Sequence, residues 1–145
     1  MHIEDFIRRL DRISSVDKNF SYSIDKNISL DIVEKTEMKL KISIPEKIKL
    51  FYLFLNNLKT KNPDFEIVGI ENWILENGFI NFAIFDSLGI VSFDTRKLNE
   101  AEEWNIVNRT IDYELTMTIS SFWSNKIWKW LEQRRPIWKP DWLDK

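Results

Sequence analysis

Cysteine is absent from the 145 residues, which excludes disulfides and thiolate metal sites and agrees with a reducing compartment. Histidine occurs once, as His2, where chain ends fray. An imidazole general base, a Ser-His-Asp triad and multi-His metal sites therefore have no ordered histidine to use. Glycine occurs three times and proline four, so long flexible linkers are not expected. Gly69, Gly78 and Gly89 stand alone, with no Lys-Ser or Lys-Thr behind them, which excludes a P-loop. The longest apolar run, Leu50 to Leu55, is far short of the ~20 residues that cross a bilayer. Met1-His2-Ile3-Glu4-Asp5 also lacks the basic start of a signal peptide. The expectation is a cytoplasmic protein with no membrane contact.

What is present reads as a folded chain. Hydrophobic residues make up 43% and charged residues 30%, an ordinary balance for a globular domain, and a domain of this size buries roughly 68–70% of its unfolded surface. One domain is expected over residues 1–145, with its core at about 30–138, an N-terminal helix at 1–14 and a Trp/Pro tail at 136–145. The 23 acids include no carboxylate pair recognisable by spacing and read as solvated surface. Glu37-Met38-Lys39 has the Glu-x-Lys form of some metal-dependent nucleases, but it lies in a helical pattern rather than in a strand. No catalytic residue, metal or cofactor is assigned, and the chain is not expected to be an enzyme.

Periodicity organises the rest. Ile3, Phe6, Ile7, Leu10 and Ile13 recur at helical spacing, so an amphipathic helix spans residues 1–13. A polar loop follows over Ser14 to Asn27. Ser29 is the expected N-cap of a second helix with Asp31 in its first turn and Ile32, Val33, Thr36 and Leu40 on one face. Pro45 suits the first position of a third helix, whose stripe is Ile48, Phe51, Tyr52 and Leu55 and which ends at Asn56-Asn57. Lys59 to Pro63 reads as a loop. The period then changes: Glu66 to Ile70 reads as a strand and Trp73-Ile74-Leu75 as a short element of either type. Phe79 to Phe85 and Ile90 to Phe93 form a hairpin around Asp86-Ser87-Leu88-Gly89. Trp104 to Val107 and Tyr113 to Thr118 are two more strands. From Ser121 a last helix carries Trp123, Ile127, Trp130 and Leu131 on its stripe. Helices, a run of strands and a final helix predict an α+β fold with a single small, mainly antiparallel sheet.

Charge and tryptophan mark candidate surfaces. Residues 61–112 hold ten acids and four bases, six negative charges in excess, while each flank carries two positive charges in excess. Such a field repels nucleic acid and attracts a basic protein. Trp128 falls off the apolar stripe of the last helix, so it either makes a second packing contact or faces a partner. Trp138 and Trp142, beside Pro136 and Pro140, either fold back on the domain, the preferred reading, or form an exposed anchor. The candidate partner-binding residues are Glu71, Trp73, Glu76, Glu100, Glu102, Glu103 and Trp128.

Four segments in order carry a resemblance. Glu37, Leu40, Ile44-Pro45, Phe51-Tyr52 and Asn56-Asn57 resemble the helical opening of the SUKH superfamily, with Ile44 where Leu is usual. Phe82-Ala83-Ile84-Phe85-Asp86, Gly89 and Ser92-Phe93-Asp94-Thr95 resemble its central hairpin. Glu103 to Asn108 and Ser120 to Trp130 resemble one bacterial subgroup, and together the segments cover about residues 30–138. The resemblance implies a sheet flanked by helices and a bacterial immunity protein that binds and neutralises a cognate protein toxin, as a monomer or weak homodimer. Its motifs describe a scaffold, so they transfer no catalytic residue. The alternative is a regulatory adaptor or small-ligand-binding module with an aromatic-lined pocket near Trp73 and Trp104.

Overall fold

A computed structural model describes residues 3–25, 28–86 and 89–140. His2, the turn residues Ser87 and Leu88, and Trp142 lie outside the described residues. The fold is α+β, an antiparallel sheet of eight strands with helices before and after it.

The first helix, α1, spans Ile3–Val16. Phe6 and Leu10 are buried and Ile13 packs against the core, the amphipathic stripe that the 3.6-residue period requires. Two segments that read as loops are strands. β1 covers Ser21–Asp25 and pairs antiparallel with β2, Asn57–Lys61. Both alternate: Tyr22, Ile24, Leu58 and Thr60 turn inward, while Ser21, Ser23, Asp25, Lys59 and Lys61 are exposed. A strand with one face in water needs few apolar residues, so polar composition concealed both.

Between them lie α2, Leu30–Leu40, and α3, Glu46–Phe54. Ser29 is the N-cap of α2, although its hydroxyl makes no capping bond, and Asp31 stands in the first turn. Pro45 is the N-cap of α3, one position earlier than expected. The junction is held by Glu37, whose carboxylate accepts the Ile44 N–H at 2.7 Å and lies 3.4 Å from Lys49 Nζ. Glu37 thus closes a helix–helix turn.

The remaining strands are β3 (Phe65–Ile67), β4 (Leu75–Glu76), β5 (Phe79–Phe85), β6 (Gly89–Asp94), β7 (Asn105–Asn108) and β8 (Tyr113–Thr116). The β3 strand is shorter than the sequence pattern suggests, because Ile70–Asn72 wind into a 3-10 turn. Trp73 follows that turn and Leu75 opens β4. The order across the sheet is β1-β2-β3-β5-β6-β7-β8, with β4 also paired to β5. The β5–β6 hairpin keeps the expected strands, with Ile84 opposite Ile90 and an irregularity between Asn81 and Ala83.

The last helix has three parts: α4 (Ile119–Ser121), a π-helical turn (Phe122–Lys126) and α5 (Ile127–Gln133). It starts two residues earlier than expected because Thr118 caps it, its hydroxyl accepting the Ser121 N–H at 3.0 Å. Its rings meet the sheet and α1. Phe122 packs on Phe82 and Phe85, and Trp123 stacks on Phe6 at 4.5 Å. The buried residues form one cluster from Phe6 to Trp138.

Candidate interaction surface

The loop between β6 and β7 is built around Asn99. Its side-chain oxygen accepts the Ala101 and Glu103 N–H groups at 2.8 and 3.2 Å. Its amide nitrogen donates to Asn105 Oδ1 and to the Met117 carbonyl at 2.7 and 2.8 Å. The Glu103 carbonyl accepts the Asn99 N–H at 2.8 Å. One short polar side chain therefore closes the loop and ties it to the end of β8. Glu102 adopts a left-handed backbone, φ 60°, a conformation a non-glycine residue holds only when its surroundings impose it.

The three loop acids have different fates. Glu100 and Glu102 are exposed and project from this braced backbone. Glu103 is 1% exposed, and its Oε1 accepts the Ile119 N–H at 2.9 Å, satisfying a free donor at the start of the last helix. Its Oε2 is buried with no partner among the described residues. Glu103, expected among the contact residues, is thus buried as a structural cap, unlike its exposed neighbours.

The other candidates also divide. Both carboxylate oxygens of Glu71 receive the Asn56 amide, at 3.1 and 2.9 Å, and Asn56 Oδ1 accepts the Ile70 N–H at 2.9 Å. Buried Asn56 thereby fastens the end of α3 to the 3-10 turn. Glu76 pairs with Arg109 at 2.9 Å. Trp73 is 1% exposed and meets Tyr52, Phe93 and Trp104. Trp104 is 3% exposed, so the expected aromatic pocket between these two rings is packed core. Beside them Tyr52 is fully buried, edge-on to Trp73 at 5.0 Å. Burial pushes its ionisation far above the usual tyrosine range; contact of the hydroxyl with Trp73 opposes that rise and the Glu71 carboxylate adds to it.

Trp128 is 5% exposed and lies against α1, 5.1 Å from Phe6 and with the Arg9 guanidinium 4.3 Å from its ring centre. Of the two alternatives, the second packing contact is the one formed. A π turn precedes this helix, the Ile127 N–H reaching back to the Phe122 carbonyl. The helix after it is covered on two sides, by α1 at Trp128 and by the sheet at Trp130, so Ile127, Trp128, Trp130 and Leu131 are all buried. Trp138 folds back. It is 7% exposed, packs on Phe85 and Trp130, and its carbonyl accepts the Asn108 amide at 2.7 Å.

The acidic excess of residues 61–112 is not one patch. Asp94 is paired with Arg96 through two 2.9 Å hydrogen bonds, which hold its carboxyl below the ordinary range. Exposed Asp64 and Asp86 adjoin each other, the Asp86 N–H donating to the Asp64 carbonyl at 3.0 Å. They lie at one end of β5, and Glu100 and Glu102 lie beyond the opposite end of the β5–β6 hairpin. Among the described residues no cluster of three His, Cys, Asp or Glu is placed to hold a metal ion, and no helix is long and apolar enough to cross a membrane.

Sequence periodicity missed one feature. Lys47, Leu50, Phe51 and Phe54 share the outer side of α3, and Leu50 is 56% exposed. The signal was the unbroken apolar run Leu50 to Leu55, which surrounds a helix with hydrophobic side chains instead of marking one face. No protein-family model matches the chain, and no curated protein sequence matches it.

Proposed function

We propose that this is a non-catalytic cytoplasmic protein of the immunity type, which binds and neutralises a cognate bacterial toxin by covering its active site or substrate channel. The observation that carries this reading is the braced loop: Glu100 and Glu102 are exposed on a backbone held by Asn99 and Glu103. Charges on a preformed loop cost little ordering on association, and they raise the encounter rate with a basic partner. The resemblance of residues 30–138 to the SUKH superfamily points the same way, and the α+β architecture is compatible with it. In this reading the residues that carry the resemblance, Glu37, Pro45 and Asn56, maintain the scaffold, and the exposed loop acids meet the partner.

The test uses the product of the neighbouring reading frame, which this reading expects to be a toxin. Glu100→Lys with Glu102→Lys slows its association by about tenfold or more at low salt and leaves the melting curve unchanged. The wild-type rate falls as the screening length shortens to ~8 Å near physiological ionic strength. An unchanged rate for the double variant, with salt-independent wild-type binding, overturns steering through this loop. A neighbouring toxin that the protein does not bind overturns the immunity reading.

A further inference from the structure

The α3 helix carries more apolar surface than the core absorbs. Ile48 and Tyr52 are fully buried, whereas Phe51 and Phe54 are half-buried and Leu50 is largely exposed. Lys47, Leu50, Phe51 and Phe54 recur at intervals of three and four residues and so form a second stripe. Facing it, the start of the last helix presents Ile119, Ser120, Trp123 and Ser124. The groove between the two has a volume of about 520 Å³, within the roughly 300–1,000 Å³ of small-molecule sites. A helix with its side chains is ~10–12 Å across, so a groove of this size suits a small molecule better than a helical segment of a partner.

Its chemistry is one-sided. The walls are mainly aromatic and aliphatic carbon with Ser120 and Ser124 beside them, and the charged group is the Lys47 ammonium; among the described residues no carboxylate lines the groove. Lys47 forms no ion pair among the described residues, although Lys49, two positions on, is engaged by Glu37. Trp123 and Ser124 belong to the π turn, a distortion frequent at functional sites. An apolar lining, an unpaired cation and no competing acid complement an anion with a hydrocarbon body.

We infer that this groove binds an apolar monocarboxylate, aliphatic or aromatic, with the hydrocarbon against Leu50, Phe51, Phe54 and Trp123 and the carboxylate at Lys47. The exposed acids Glu100 and Glu102 do not line the groove, although buried Glu103 of the same loop accepts the N–H of Ile119 in its wall, and the site goes beyond the toxin-binding reading. The test is calorimetric titration of the full chain with decanoate and with decanol, its uncharged counterpart. Decanoate binds saturably at one site and more tightly than decanol. Lys47→Glu weakens decanoate at least about tenfold, as charge reversal beside a partly desolvated carboxylate demands, and leaves decanol unchanged; Lys47→Arg retains decanoate. Leu50→Asp weakens both ligands, and melting curves of every variant report the fold. Because Lys47 is exposed, Lys47→Glu carries the test even if Leu50→Asp fails to fold. Absent decanoate saturation, or equal affinity of wild type and Lys47→Glu, overturns the proposal. So does a result in which both variants lose a protein partner while decanoate never binds. The Glu100→Lys, Glu102→Lys protein keeps its decanoate affinity, so the two readings fail separately.

Discussion

Tryptophan 123 lies at a three-way contact, stacked on Phe6 of α1 and edge-on to Phe51 of α3 at 5.1 Å. Trp130 packs on Phe85 and Trp138 and donates its indole N–H to the Asp64 carbonyl at 3.1 Å. Replacing either with alanine removes a buried ring and leaves a cavity, and each variant loses about 3–5 kcal/mol of stability. A denaturant midpoint near wild type would show that the ring does not belong to the core. Glu103 gives a sharper contrast, because its neighbours in sequence are exposed and it is not. Glu103→Lys buries a cation where the Ile119 N–H needs an acceptor and lowers the melting temperature, whereas Glu100→Lys does not. Equal melting of the two variants would contradict the capping role.

At the scale of elements, two contacts hold the ends of the chain to the sheet. Gly89 opens β6 directly beneath the Trp138 ring, and a Cβ built on it collides with that ring. The glycine is needed for close approach, since its φ is not in the left-handed range. Gly89→Ala displaces the tail, seen as faster tryptic cleavage after Arg134 and faster chymotryptic cleavage after Trp138; wild-type cleavage would refute the contact. At the other end the Tyr22 hydroxyl of β1 donates to Asp11 of α1 at 2.6 Å. Burial, and then this bond, push its ionisation up to about 12 from ~10 in the unfolded chain. A raised folded-state value means that the contribution is whole below pH ~10 and is lost as pH rises to about 12. The difference in urea midpoint between wild type and Tyr22→Phe therefore shrinks across that window. A difference constant with pH would show that the hydroxyl does not titrate in this environment.

For the molecule as a whole, the proposed reading expects the behaviour of a binding protein. Chelators leave the melting temperature unchanged, because among the described residues no three His, Cys, Asp or Glu are placed to hold a metal ion; a chelator-sensitive melt would return Glu37, Asp86 and Asp94 to consideration as ligands. Glu37 is already engaged at the α2–α3 junction and Asp94 with Arg96. The whole-chain view also changes the meaning of the acidic segment. Sequence counts a local excess over residues 61–112, but folding buries Glu103, pairs Glu76 and Asp94, and puts exposed Asp64 and Asp86 at the opposite end of the β5–β6 hairpin from exposed Glu100 and Glu102. Steering is therefore a property of particular ends of the sheet rather than of the segment.

The sequence by itself determined the elements whose side chains alternate strongly between oil and water: α1, α2, α3, the β5–β6 hairpin, the β7 and β8 strands and the final helix. Their periods follow from backbone geometry and the drive to bury apolar area, and with them came the α+β class. Only the tertiary structure decided the rest. β1 and β2 are strands because a sheet edge already existed for their backbones to pair with, although Asn, Lys, Ser and Asp dominate them. Trp128 is inside because α1 covers a second side of the last helix, with Phe6 and Arg9 against its ring. Glu103 is inside because a helix start 16 residues away needs an acceptor. The groove beside α3 exists because a helix apolar on more than one side met too few neighbours to cover it. Each of these depends on which distant surface arrives to complete a local preference, and that is information no window of sequence contains.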